Sequence, residues 1–112
     1  MMFKSRRAFA FLLGNRKVAT LRNYRYVEKQ TVYIKDREGK IIGKGKVEKV
    51  MPAEWDNIMK YCKMSGFKHP FHWVEEAAKL HGMPPYRYPR FIVIVSLREV
   101  KCGKEWVKVE QE

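Results

Sequence analysis

Thr31-Val32-Tyr33-Ile34-Lys35, then Asp36-Arg37-Glu38-Gly39, then Lys40 through Val50 is the stretch whose reading decides the fold. Its first five residues alternate β-branched or aromatic side chains, which favours a half-buried strand. The next four form a turn, with Gly39 where a positive φ is needed. The run from Lys40 to Val50 is a second, long strand. Gly43 and Gly45 are two apart on it, so they clear side chains from one face, as a bulge, a barrel bend or a close backbone approach requires. Lys44 and Lys46 take the opposite face. Two long strands joined by a tight turn exclude a helical bundle.

Towards the N-terminus, Ser5 can cap a helix running to about Leu13, with Phe9, Leu12 and Leu13 buried and Gly14 as C-cap. Val18-Ala19-Thr20-Leu21 is a short strand, and Asn23-Tyr24-Arg25-Tyr26 a polar, aromatic loop. Towards the C-terminus, Pro52 is expected to open a helix, with Glu54 and Asp56 in the first turn. Trp55, Ile58, Met59 and Cys62 recur at helical spacing and should face the core. After a break at Ser65-Gly66, Pro70 opens another helix with Trp73, Val74, Ala77 and Ala78 inward. Gly82 ends it, and Pro84 and Pro85 prevent its continuation. Phe91-Ile92-Val93-Ile94-Val95 is apolar on both faces and therefore central. Lys104 to Val109 alternates and pairs at an edge. The order is a helix, three strands, two helices and two strands, with no βαβ alternation. The expected fold is α+β, a small β-barrel of about five strands with flanking helices.

The chain has 112 residues, enough for one domain over residues 1–112 with its own core. Its 46% hydrophobic content excludes a disordered chain. The net charge of +12 is uneven: residues 1–50 carry 14 Lys/Arg against 4 Asp/Glu, and residues 51–112 carry 10 against 8. A basic half on a folded domain points to a polyanionic partner, RNA or another single-stranded nucleic acid. Its plainer meaning is a solubility surface. Cys62 and Cys102 are too few for a disulfide framework, which fits a reducing, cytoplasmic setting. The run Ala8 to Leu13 follows Lys4, Arg6 and Arg7 but leads into Arg16 and Lys17, unlike a cleaved leader. No run reaches the roughly 20 apolar residues of a membrane helix, so no membrane partner is expected. Five Asn/Gln among many charges fit a hot environment.

Gly14 to Arg22 packs Arg16, Lys17, Thr20 and Arg22 into a helix-to-strand corner, with the spacing Lys-x-x-Thr-x-Arg. Thr20 and Arg22 share a strand face by period two, and Lys17 lies just before them. Arg22 offers a planar fork for phosphate or a base edge, Lys17 a point charge, and Thr20 a hydroxyl. The same residues also suit a solvated strand face with Thr chosen for β-propensity.

The apolar helix, the Gly, the Lys-x-x-Thr-x-Arg run and the meander ending Gly43-Lys44-Gly45-Lys46-Val47-Glu48-Lys49-Val50 together resemble the ASCH domain of the PUA-like superfamily. The resemblance covers most of the chain. It implies a PUA-like barrel with a cleft that handles RNA or nucleosides. Some members resemble amidohydrolases acting on acetylated cytidine through a Lys, a Thr and a Glu, and others are linked to RNA binding or cleavage. Lys17 and Thr20 match the first two positions and Arg22 the motif arginine. Two departures stand out: Asn15 and Arg16 both separate Gly14 from Lys17, and no Asp or Glu occurs between Asp56 and Glu75, where the family glutamate belongs. Binding is therefore ranked above hydrolysis. The hydrolase alternative, an amidohydrolase or ribonuclease, has Lys17 as the base that activates Thr20.

Two clusters interleave cations and aromatics: Arg22, Tyr24, Arg25 and Tyr26, and Tyr86, Arg87, Tyr88 and Arg90 with Phe91. Guanidinium groups can take phosphates while rings stack on bases. The same tyrosines can instead cap a barrel with their hydroxyls in water. Lys44 and Lys46, with Lys35 on a neighbouring strand, make either a phosphate-tracking stripe or a soluble sheet face. His69, His72, His81 and Cys62 follow neither Cys-x-x-Cys nor His-Glu-x-x-His, so no metal and no cofactor is expected. His69 is read as a neighbour of the N-cap and His72 as half-buried beside Trp73.

Overall fold

A computed structural model describes residues 1–84 and 87–110. Pro85, one of the two prolines expected to stop the helix, and Tyr86 of the second aromatic cluster lie outside the described residues. The elements follow the order α1 (Arg6–Asn15), β1 (Lys17–Arg22), β2 (Thr31–Lys35), β3 (Ile41–Pro52), α2 (Trp55–Tyr61), a single 3₁₀ turn (Cys62–Met64), α3 (Pro70–Leu80), β4 (Phe91–Cys102) and β5 (Glu105–Lys108). The strands form one antiparallel sheet in the order β1-β4-β3-β2, with β5 also on β4.

Strand β4 organises this sheet. On one side it pairs with β3 from Phe91 to Val100. Its other side is shared: Phe91 to Ser96 pair with β1, and Glu99 to Cys102 with β5. Its side chains then divide between two cores. Ile92 and Ile94 join Ala19, Leu21 and Met51 beneath Ile58, Phe67, Trp73 and Ala77. Val93, Val95 and Leu97 join Val18, Val32, Ile34 and Val47 beneath Phe3, Ala8 and Leu12. A strand buried on both faces needs a covering layer on each, which is why helices occupy both sides of the sheet.

The expected hairpin from Thr31 to Val50 is present, with Asp36 accepting from the Glu38 and Lys40 N–H groups through its carboxylate and Gly39 at φ 87°. Gly43 and Gly45 are buried. A Cβ on Gly43 would lie 2.4 Å from the Glu99 carbonyl oxygen, so the third of the expected uses of these glycines, close approach of another backbone, applies, and the β3–β4 register also shifts at Lys44/Gly45. Lys44 and Lys46 take the half-exposed opposite face, and β4 is central as expected.

Several expectations are corrected. Helix α1 continues through Gly14, and Arg16 makes the left-handed turn at φ 65°. The reason is the ladder that follows: the Arg16 carbonyl accepts from the Leu97 N–H, so the helix must end one residue before β1 begins. Pro52 closes β3 instead of opening α2, which starts at Trp55; its missing N–H suits a strand end as well as a helix start. Trp55 and Met59 are exposed, at 39% and 55%, because α2 is only seven residues long and turns Ile58 inward. His72 is exposed as well, and its ring lies edge-on to that of His69.

The sheet is not closed: among the described residues no pairing joins its outer strands β1 and β2. Along the outer side of β2 runs the segment Met1 to Phe3. Met2 makes a parallel bridge to Lys35, the Phe3 N–H donates to the Lys35 carbonyl at 3.0 Å, and the Lys35 N–H donates to the Met1 carbonyl at 2.9 Å.

The turn between α2 and α3 is fixed by Ser65, whose hydroxyl donates to the Cys62 carbonyl and accepts from the Phe67 N–H. Gly66 has φ 89°, and a Cβ there would lie 2.5 Å from the Arg7 carbonyl oxygen of α1. Gly66→Ala should therefore cost well over about 1 kcal/mol, read as a lowered urea midpoint at constant slope. Gly14→Ala, in a helix with open space around it, should instead stabilise by roughly 0.5–1 kcal/mol.

Candidate functional site

Among the described residues strand β1 pairs on one side only, with β4. Along its outer edge lies a cavity of about 330 Å³, between the start of α1 and one face of α3. Thr20, Leu21 and Arg22 line it in succession, although alternate residues of a strand point to opposite faces. Three consecutive lining residues fit a cavity that lies along the open edge and end of β1. Phe67, Trp73, Ala77 and Leu80 supply an apolar wall, with Phe3 and Ala8 opposite; Lys4, Ser5, Glu76 and His81 add polar groups. The volume is within the range of pockets that hold small organic ligands.

Arg22 is the electrostatic centre. Its Nε donates to the Thr20 hydroxyl at 3.2 Å, and an Nη donates to the Met2 carbonyl at 2.6 Å. Its guanidinium carbon lies 4.8 Å from the centre of the Phe3 ring. Among the described residues no carboxylate comes within 4 Å of it. Burial pushes its pKa down from the ordinary arginine value, and the Tyr26 phenol partly opposes that shift. The group stays protonated, since free arginine titrates far above neutrality. A half-buried cation held by neutral oxygens and a ring thus borders an open volume.

Lys17 is placed apart from this cavity. It is exposed and shares neither strand face nor cavity with Thr20. It pairs in register with Ser96, beside a polar network on the other part of the sheet. There the buried Ser96 hydroxyl donates to Glu48 at 2.6 Å, while Arg98 donates to Glu48 at 2.6 Å and to Ser96 at 3.1 Å. The Ser96 hydrogen bond holds the Glu48 carboxyl below its ordinary value, with Arg98 and then Lys17 adding to the effect against a burial cost. Arg16 donates to the Glu110 carbonyl at 2.8 Å.

The two Arg/Tyr segments are neighbours. Arg22 pairs with Phe91 in register, and the Arg90 N–H donates to the Asn23 side chain at 3.3 Å. Arg25, Arg87 and Arg90 are exposed, as is Tyr24, which stands edge-on to the half-buried Tyr26 at 4.8 Å. Tyr88 packs against the core that contains Trp73. Lys44 lies over Trp106 and Tyr33, and Lys46 is half-exposed on the same strand. Among the described residues no group of three His, Cys, Asp or Glu side chains could hold a metal. No helix described is long and apolar enough to cross a membrane.

Lys4, Ser5, Phe67, Glu76 and His81 were not legible as cavity residues from sequence. One signal was available: Trp73, Glu76, Ala77 and Leu80 form an i, i+3, i+4, i+7 stripe, and a carboxylate within such an inward stripe marks something other than core. His81 Nδ1 lies 2.8 Å from the Ala77 carbonyl. A carbonyl can only accept, so Nδ1 carries the proton and Nε2 is left available.

Fold and cavity together define a small α+β domain with one antiparallel sheet and a cation-floored pocket at the sheet edge. The chain is 32% identical over 101 residues to "Uncharacterized protein 105" of Sulfolobus islandicus rod-shaped virus 1, covering 85% of this chain and 90% of that protein. It belongs to the same family as that viral protein. No family model and no solved structure matches it.

The Glu48 network has a definite pH signature. Because its folded pKa is depressed, its contribution is present above the ordinary value of 4.5 and is lost as pH falls through the lower folded value. Chemical denaturation across that acid range should show wild-type stability falling more steeply than that of Glu48→Gln. Parallel curves would remove Glu48 from the acid transition.

Proposed function

We propose that the protein is an RNA-binding module of the PUA-like, ASCH type, which takes a phosphate-bearing segment of a single strand at the cavity beside β1. The observation that carries this reading is Arg22, a half-buried guanidinium with no carboxylate within 4 Å among the described residues, lining an open volume of about 330 Å³. A charge drawn partly out of water favours an opposite charge beside it, and neutral oxygens and a ring supply none. An anionic ligand supplies the missing partner, and the planar fork suits phosphate oxygens. The basic half of the chain would draw a polyanion towards this corner, and the adjacent loops carry Tyr24, Arg25, Arg87 and Arg90 for further contacts.

The barrel belongs to the same proposal. Residues Met1 to Phe3 pair with β2, and Met2 also accepts from Arg22 at the end of β1, so the segment bridges the two outer strands by one side chain. In this reading the gap between β1 and β2 is the mouth of a PUA-like barrel.

A second reading, hydrolysis of an acylated nucleoside or of RNA, is favoured by the presence of Thr20, Glu76 and Lys4 around one cavity. Lys17 lies outside that volume and on the other strand face, so in this reading a base for Thr20 would have to come from the cavity itself. Turnover of acetylated cytidine lost in both Lys17→Ala and Thr20→Ala would establish the hydrolase; loss in Thr20→Ala alone would assign the base elsewhere.

Titration of a labelled single-stranded RNA across about 50–200 mM salt tests the binding reading. Wild type should bind with a steep negative salt slope. Arg22→Gln, with its melting temperature measured alongside, should weaken binding about tenfold and flatten the slope by about 0.7, the share of one phosphate on a single strand. Absence of binding at low salt would overturn the proposal.

A further inference from the structure

On the face of the sheet carrying Lys44, and sharing no residue with the cavity lining, a second cluster is built across four strands. Tyr33 on β2 pairs with Lys44 on β3, Lys44 with Glu99 on β4, and Glu99 with Lys108 on β5; Lys101 pairs with Trp106. Cross-strand partners share a face, so Tyr33, Lys44, Glu99, Lys101, Trp106 and Lys108 all lie on one surface. Tyr33 is 50% exposed and Trp106 half-buried. Their ring centres are 6.3 Å apart with planes tilted by 46°. The Lys44 ammonium sits between them, 4.4 Å from the Trp106 centre and 5.8 Å from that of Tyr33. Lys101 lies 5.9 Å from Trp106.

We infer that this face is a stacking platform for single-stranded RNA, separate from the cavity. Two features select that occupant. The first is charge: Lys44 is 3.9 Å from Glu99, whereas Lys46, Lys101 and Lys108 make no ion pair within 4 Å among the described residues. The face is therefore cationic and complementary to a phosphate backbone. The second is ring spacing. The rings are separated by 6.3 Å, nearly twice the rise of about 3.4 Å per nucleotide in a duplex strand. Bases resting on both rings cannot be stacked on each other, which suits an unpaired strand. Lys101 is the looser cover of Trp106, so its ammonium can turn to a phosphate as a base takes its place. Aromatic rings flanked by lysines bind strands with little sequence preference, because every base offers a π face.

This inference rests on the RNA-binding reading, and the two sites share no residue, so they can fail separately. The test is anisotropy of a labelled oligouridine with wild type, Trp106→Ala, Trp106→Phe, the double variant Lys101→Glu/Lys108→Glu, and Arg22→Gln. Trp106→Ala should weaken binding about tenfold while Trp106→Phe retains most of it. The double charge variant, at two exposed positions and with its melting temperature measured alongside, should flatten the salt slope by at least about 1.4, two phosphates' worth. It answers the question even if Trp106→Ala unfolds. A duplex of equal length should compete poorly. Wild-type affinity in the double charge variant would overturn the platform, leaving the rings and Lys44 as a clamp on the β4–β5 hairpin. If Arg22→Gln also bound normally, the cavity reading would fall independently, and no binding by wild type would overturn both.

Discussion

The burial of β4 on both faces is the constraint from which the rest of the structure follows. Ile92 through Leu97 are almost wholly enclosed, and each large aliphatic side chain so buried contributes on the order of 1.5–3 kcal/mol. That driving force requires a layer over Ile92 and Ile94 and another over Val93, Val95 and Leu97. The α2–α3 segment forms the first, and α1 with Phe3 the second. Because β4 gives one edge to both β1 and β5, β1 can be only six residues long. Its outer side is then left between the two helical layers. The cavity occupies that seam, and Arg22 borders it because it is the last residue of a short edge strand.

Much of this was legible in the sequence where a local pattern and the tertiary environment agree. The alternation of Thr31 to Lys35, the turn at Gly39 and the doubly apolar Phe91 to Val95 each admit one solution. The failures share another cause. Gly14 and Pro52 are residues whose local preferences allow more than one position, and neighbours decided between them: the Arg16 carbonyl was claimed by Leu97, and the β3 ladder ran on to Pro52. Trp55 and Met59 fitted a helical apolar stripe, but α2 was too short to bury all of it.

The site was legible only in part, for a geometric reason. Period two placed Thr20 and Arg22 together, and the structure joins them by a hydrogen bond. Lys17, read with them, instead lies on the other face, opposite Ser96 in register and acting on Glu48 through its charge. Glu76, Phe67 and Lys4 reach the cavity from three further segments. A constellation gathered from four places in the chain leaves no spacing to read, and only the carboxylate in the α3 stripe marked it in advance.

The two flanks of the sheet also bear on how the chain behaves in a crowded solution. An unsheathed strand edge is a template on which another polypeptide can polymerise. Here the outer side of β2 is occupied by Met1 to Phe3, and β1 looks into a recess roofed by α3 and the start of α1. Arg22 fastens the first sheath by its bond to Met2 and sets a positive charge beside the second. One side chain thus serves as a guard against self-assembly along both flanks, and loosening it would expose sticky backbone before it unfolded the core.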